Sequence, residues 1–350
     1  MRAAVLHATG DLRVEERPDP ECAPGHVVIE VILNGLCGTD ATEWSRGPMM
    51  VPLSTRHPGS GHLGPTILGH EFIGNVVEAG HESADWLGAR VASGAGVSCG
   101  TCSWCLRGRT NLCTGYYTLG LSTHGGLARY AAAPAGTLSR VPEGCLDVDA
   151  ALAQPLAVGL HAVARAGVRP GDRVVLIGAG AIGAFVLAGL TGHDGPVTVI
   201  DVDGARLPLA SELGATDVLQ IDKDASPAEL RSLVGAAADI VIECSGAPGS
   251  AGRALALADG GGSVLLVGLT KAPQELELGD LVLREIDVRG TVAHVCDVDL
   301  PAALALLAER PLAQKLVQEV IGLDDVVERG LDPLARGVAG GKILVAPHDG

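Results

Sequence analysis

Cys99, Cys102, Cys105 and Cys113 stand as C-x2-C-x2-C-x7-C, four of the nine cysteines crowded into one short stretch. Loops of that length bring four thiolates into one tetrahedral shell. Zinc favours such a shell, and a closed set of four sulfurs leaves no position open to a substrate. The chemistry expected there is structural. A metal that acts on a substrate needs fewer protein ligands and a vacant position. Cys37, in Cys37-Gly38-Thr39-Asp40, and His70, in Gly69-His70-Glu71, are candidates for it. Taken singly, each also suits a packing role, as a buried free cysteine or a satisfied core histidine.

A second kind of chemistry is written at Gly178-Ala179-Gly180-Ala181-Ile182-Gly183, which follows the apolar run Val174–Ile177 and opens a helix-like run from Ala184 to Leu190. In a G-x-G-x-x-G the first glycine permits the turn, the second lets the backbone approach a pyrophosphate, and the third lets helix and strand pack closely. In a chain with 49 glycines the motif alone also suits a plain packing turn. The next apolar run, Val197–Ile200, ends in Asp201, at the spacing where a carboxylate accepts hydrogen bonds from an adenosine ribose. That carboxylate repels a 2′-phosphate, so NAD is expected over NADP. Arg206, five residues on, stacks on adenine or, as the lesser alternative, contacts a phosphate.

These residues must be positioned by two kinds of scaffold. At 350 residues the chain exceeds one typical core, and about two domains are expected. Hydrophobic residues make up 47% and aromatics only 2%, so the core is built from Ala, Val, Leu and Ile, a mix that favours α/β architecture. Up to about residue 150, β-rich runs (Val27–Leu33, Phe72–Glu78, Ala128–Ala133) alternate with Gly-, Pro- and His-rich loops. Beyond it, Arg173–Gly178, Val197–Asp201, Ile240–Cys244 and Ser263–Val267 are spaced by helix-like segments such as Ala205–Leu213. That is the rhythm of a doubly wound parallel sheet. Residues 151–289 form this second domain. An amphipathic segment, Leu300–Glu309, and a closing strand, Lys342–Val345, assign 290–350 back to the first.

Composition also excludes. A net charge of −16 without a basic block argues against nucleic acid as a partner. The amino terminus lacks the apolar run of a signal peptide, so the cytoplasm is expected. Val174–His193 carries no Asp, Glu, Lys or Arg and approaches the length of a membrane span, but its five glycines fit a strand, a turn and a helix.

The motifs fall in the order of a known family. CGTD at Cys37, GHEF at Gly69–Phe72, the four-cysteine stretch, QPLAVGLHA at Gln154–Ala162, GAGAIG and the closing KILV together resemble the zinc-dependent medium-chain dehydrogenase/reductases. Within them the match is to the polyol branch of butanediol, sorbitol and threonine dehydrogenases. The resemblance implies a GroES-like catalytic domain (1–150 and 290–350, with a zinc lobe at about 95–115) and a Rossmann-type NAD-binding domain (151–289). It implies two zinc ions per subunit, one structural in the lobe and one catalytic. Cys37 and His70 hold the catalytic ion, with Glu71 and Gln154 supplying or exchanging the remaining contacts. Thr39 is the proton-relay hydroxyl, Asp40 orients His70, Gly268-Leu269 forms part of the nicotinamide seat, and Trp44 and His57 border the substrate.

The implied reaction is interconversion of a secondary alcohol and its ketone by hydride transfer, the substrate being a diol, polyol, cyclitol or amino alcohol. Reduction of a conjugated alkene, or a sugar or aminocyclitol dehydrogenase of a biosynthetic pathway, is the alternative. A homodimer or homotetramer is implied. Two positions depart from the family's pattern: Gln154 stands where a glutamate is usual, and Thr42 where a relay histidine is common.

Overall fold

The computed structural model describes residues 1–270 and 272–348. The chain divides into two compact units, Met1–Ala157 with His294–Gly350, and Val158–Ala293. The divisions read from composition, after residues 150 and 289, fall slightly earlier than these. Texture marks where strand-rich sequence stops, whereas the first structural division lies inside the helix Ala153–Ala166.

In the first unit the strand His26–Gly35 is the spine. It pairs antiparallel with Glu71–Ala79, Tyr130–Pro134 and Lys342–Ala346, within a seven-stranded sheet. The pairing sets Gly35 opposite Glu71 on one edge and opposite Leu344 on the other. Branched aliphatics suit this pleated surface: Val27, Ile29 and Val31 pack with Phe72, Val76 and Val91 in one cluster, and Leu36, Leu68, Ile343 and Val345 belong to another. Two elements add to those read from the sequence. Arg2–Ala8 and Asp11–Glu16 form a hairpin, whose second strand is too charged to read as a buried run. Gly38–Arg46 is a helix that begins at Cys37.

The second unit is a parallel sheet of six strands. Numbered along the chain, their spatial order is 3-2-1-4-5-6: Asp217–Gln220, Val197–Asp201, Val174–Ile177, Ala238–Glu243, Ala258–Leu266 and Asp287–Gly290. This is the Rossmann-type arrangement expected of the second domain. The order reverses between Val174–Ile177 and Ala238–Glu243, and the carboxyl ends of strands at such a switch open the crevice in which ligands bind. The uncharged stretch from Val174 resolves into the strand Val174–Ile177 and the nine-residue helix Ala181–Gly189. No helix among the described residues is long and apolar enough to cross a membrane.

The third glycine of the motif explains how that helix meets its strand. A Cβ on Gly183 would collide with the carbonyl oxygen of Gly178, whereas one on Gly180 would meet only Arg206 Nη1, at 3.4 Å. Gly183→Ala should therefore destabilise the protein by about 1–3 kcal/mol through overpacking, despite alanine's better helix propensity. Gly180→Ala should stay within about 1 kcal/mol. Urea denaturation of the two variants checks the contrast; equal midpoints would refute it.

Candidate metal centres and cofactor crevice

Cys37 caps the helix Gly38–Arg46, so the helix start presents Cys37, Thr39 and Asp40 within one turn. Asp40 is fully buried and works on two fronts. Its Oδ2 accepts the Cys37 N–H at 2.9 Å, and its Oδ1 accepts from His70 Nδ1 at 3.2 Å. A carboxylate only accepts, so the proton of His70 sits on Nδ1 and Nε2 is the ring nitrogen able to bind a metal. Burial works against an imidazolium at His70, but the charge and hydrogen bond of Asp40 outweigh it and hold the pKa well above the usual histidine value. The ligand atoms of Cys37, His70 and Glu71 all lie within 4.8 Å of one another. Thiolate, imidazole and carboxylate at that spacing are a donor set that fits zinc. The Thr39 hydroxyl stands 3.7 Å from Cys37 Sγ.

Lys342 is a member of this neighbourhood that sequence reasoning passed over, taking KILV only as a strand. Its ammonium donates to the carbonyl of Leu36 at 3.0 Å and lies against Glu71 Oε2. The side chains of Lys342 and Glu71 are 7% and 2% exposed, so water screens the pair little. Burial works against the ammonium, but the charges of Glu71, Cys37 and Asp40 raise the lysine pKa above its ordinary value. The only signal in the sequence was a charged residue opening an apolar run.

The four lobe cysteines converge as their spacing predicts. Cys102 Sγ is 3.5 Å from Cys105 Sγ, which is 4.0 Å from Cys99 Sγ. Bonds of 2.3 Å to a tetrahedral zinc would set sulfurs about 3.8 Å apart, so the thiols fit that ion. Backbone amides point at the sulfurs as thiolates require: Cys99 and Gly115 donate to Cys113 Sγ, and Cys102 to Cys99 Sγ.

At the crevice of the second unit, Asp201 is buried and accepts the Ala179 N–H at 2.6 Å and the Asp203 N–H at 2.8 Å. Arg206 is held by carboxylates, with Nε 3.3 Å from Asp203 and Nη1 4.0 Å from Asp201. Ala181 and Ile182 open the helix after Gly180. Gly180 is not demanded by the protein's own packing, as its added Cβ shows, and it leaves a cradle on the strand-to-helix turn that fits a dinucleotide. Across the switch, the Glu243 carboxylate accepts the N–H groups of Ser245 (2.7 Å) and Gly246 (2.9 Å), while the Gly268 N–H donates to the Glu243 carbonyl. Leu269, the next residue, is 90% exposed.

The other sequence candidates have the following surroundings. Trp44 packs against the cluster that holds Leu36 and Val51. His57 Nδ1 accepts the N–H groups of Gly59 and Ser60 and its ring meets Tyr117 edge-on. The Thr42 hydroxyl donates back to the Gly38 carbonyl at 2.8 Å. Gln154 is half-buried near the start of the helix Ala153–Ala166. Glu43, not singled out by sequence, is fully buried and accepts the N–H groups of Met49, Met50 and Val51.

Comparison with known proteins accords with this construction. Residues 23–143 match the family described as alcohol dehydrogenase GroES-like domain, and residues 177–309 the one described as zinc-binding dehydrogenase. The chain is 31% identical to (R,R)-butanediol dehydrogenase of Bacillus subtilis (strain 168), across 99% of this chain and 100% of that protein. It is 34% identical to sorbitol dehydrogenase of Gallus gallus, across 93% of this chain and 91% of that one. The crystal structure of 2R,3R-butanediol dehydrogenase from Bacillus subtilis matches with a TM-score of 0.91 at 30% identity, covering 99% of each chain. With its two metal-type donor sets, its nucleotide crevice and these relatives, the chain belongs to the zinc-dependent medium-chain alcohol and polyol dehydrogenases, which interconvert alcohols and ketones.

Proposed function

We propose that this dehydrogenase uses NAD to oxidise a secondary alcohol, such as a diol, polyol, cyclitol or amino alcohol, and can run the reaction in reverse on the ketone. The observation that carries the reading is the convergence of Cys37, His70 and Glu71 with Asp40 fixed behind them. A zinc ion held by these residues would supply a Lewis acid to the substrate oxygen, and the nicotinamide a hydride acceptor. Asp40 holds the His70 ring, Thr39 takes up the hydroxyl proton, and Gln154 contributes a neutral amide to the metal's surroundings. With the Thr42 hydroxyl committed to Gly38, the proton passes from Thr39 to water. The four lobe cysteines hold a second, structural zinc. Conjugate reduction of an alkene is not favoured by relatives that are diol and polyol dehydrogenases.

Two features support NAD over NADP. Asp201 is pinned by backbone amides yet keeps lone pairs for ribose hydroxyls. Arg206 spends its charge on Asp203 and Asp201, which leaves it a poor partner for a 2′-phosphate. The strand Asp287–Gly290, at the edge of its sheet with Val288 38% exposed, suits the homo-oligomer that the resemblance implies. The nine unpaired thiols suit a reducing compartment such as the cytoplasm.

A nicotinamide absorbance screen over diols, cyclitols, amino alcohols and enals, run with both cofactors, tests the reading. Turnover of a secondary alcohol with a higher specificity constant for NAD is expected. Activity confined to enals, or a preference for NADP, would overturn the corresponding claim.

The two metal sets should separate by mutation. Cys37→Ser should cut turnover by about 100-fold or more with little change in melting temperature. Cys99→Ser should lower the melting temperature by roughly 5 °C or more. Metal analysis should read two zinc ions per parent chain and one in each variant; equal thermal effects would contradict the division.

Gln154→Glu should slow zinc loss to a chelator by about ten-fold and move the pH profile of oxidation upward, because added negative charge lowers the metal's Lewis acidity. A variant matching the parent in both would place residue 154 beyond the metal's electrostatic reach.

A further inference from the structure

Glu71 faces two claims on one carboxylate. Its ligand atom lies with those of Cys37 and His70, while its Oε2 lies against the ammonium of Lys342. The two side chains approach from strands on opposite edges of His26–Gly35, since Gly35 pairs with Glu71 on one side and with Leu344 on the other. They meet over Gly35, where an added Cβ would collide with Glu71 Oε2 and come within 3.3 Å of Lys342 Cε. The lysine is held in register by its own strand, because the Leu36 N–H donates to the Ile343 carbonyl at 2.9 Å and Lys342 Nζ donates to the Leu36 carbonyl. The ammonium thus has a backbone anchor at Leu36, whereas the Glu71 Oε2 beside it accepts no hydrogen bond among the described residues.

We propose that Lys342 is a positioning residue which restrains Glu71 and so sets how far that carboxylate can ligate the metal ion bound at Cys37 and His70. The inference rests on the zinc reading of the site given above. A carboxylate that moved wholly onto the metal would leave a buried ammonium with only the Leu36 carbonyl, and an unpaired buried charge is strongly disfavoured. Shared between two cations, Glu71 gives up less charge to the metal, which is bound less tightly and stays more electrophilic than the full donor set would make it.

The test uses zinc-loaded full-length protein with Lys342→Gln, whose amide can still donate to the Leu36 carbonyl but sets no charge against Glu71, and Lys342→Met as a second neutral variant. Zinc release to a chelator is followed by an indicator dye, with the Cys37→Ser background reporting the lobe ion alone. The neutral variants should release the ion at Cys37 and His70 about ten-fold more slowly than the parent, with lobe release unchanged. Cobalt-substituted protein should show shifted visible bands as the carboxylate moves toward the metal. Lys342→Arg, which keeps the charge, should restore the parent's release rate. In a Glu71→Gln background the gain from Lys342→Gln should vanish.

Parent-like release in the neutral variants would overturn the proposal. So would an equal gain in the Glu71→Gln background, since Lys342 would then act by direct repulsion. A parent that binds only the lobe zinc would instead overturn the zinc reading itself and the inference with it, an outcome told apart by stoichiometry before any variant is compared.

Discussion

The Asp40 carboxylate is the constraint on which the candidate centre depends. One oxygen holds the amide at the start of the helix Gly38–Arg46, and the other holds the ring of His70, which lies far along the chain. Because the group is fully buried, these two donors meet its need for hydrogen bonds without help from water. The same contacts put Cys37 and His70 in fixed relation, choose the tautomer of the imidazole, and carry Thr39 on the same turn as Cys37. A thiolate and an imidazole merely close in space would lack that orientation.

Around it, the first unit uses buried charge to place segments that an aliphatic core leaves free. Ala, Val, Leu and Ile fill volume but specify little about where a loop must run. Glu43 gathers the amides of Met49, Met50 and Val51, and Asp149 gathers those of Leu312 and Ala313. Each carboxylate lies in a low-exposure setting and is met by backbone donors, the condition under which a buried anion is tolerated. The pair of Lys342 and Glu71 differs because it sets charge against charge beside a metal-type donor set.

In the second unit the scaffold depends on close approach. The helix Ala181–Gly189 reaches its strand because residue 183 has no side chain, and Gly180 leaves the turn open at the carboxyl edge of the sheet. Asp201 ties the end of the neighbouring strand to Ala179 within that turn, so the carboxylate and the glycine-rich loop are held in one fixed arrangement.

What could be read from the sequence was whatever short spacing determines. C-x2-C-x2-C-x7-C and G-x-G-x-x-G confine their groups within one or two turns of chain, so local backbone geometry alone brings the sulfurs together and opens the cradle. The alternating apolar runs likewise announced the strands, because a half-buried or fully buried strand must carry them. Cys37 and His70 were legible only as a set, through family order, since nothing local requires them to meet. Trp44 and His57 were read as substrate neighbours only through the resemblance; that Trp44 packs against a core cluster and His57 caps its own loop are contacts that spacing does not encode. The hairpin of Arg2–Ala8 and the partnership of Lys342 with Glu71 were invisible for the same reason. They follow from which strands lie beside His26–Gly35 and in what register, and long-range pairing of that kind is decided by packing of the whole unit rather than by the residues that happen to meet.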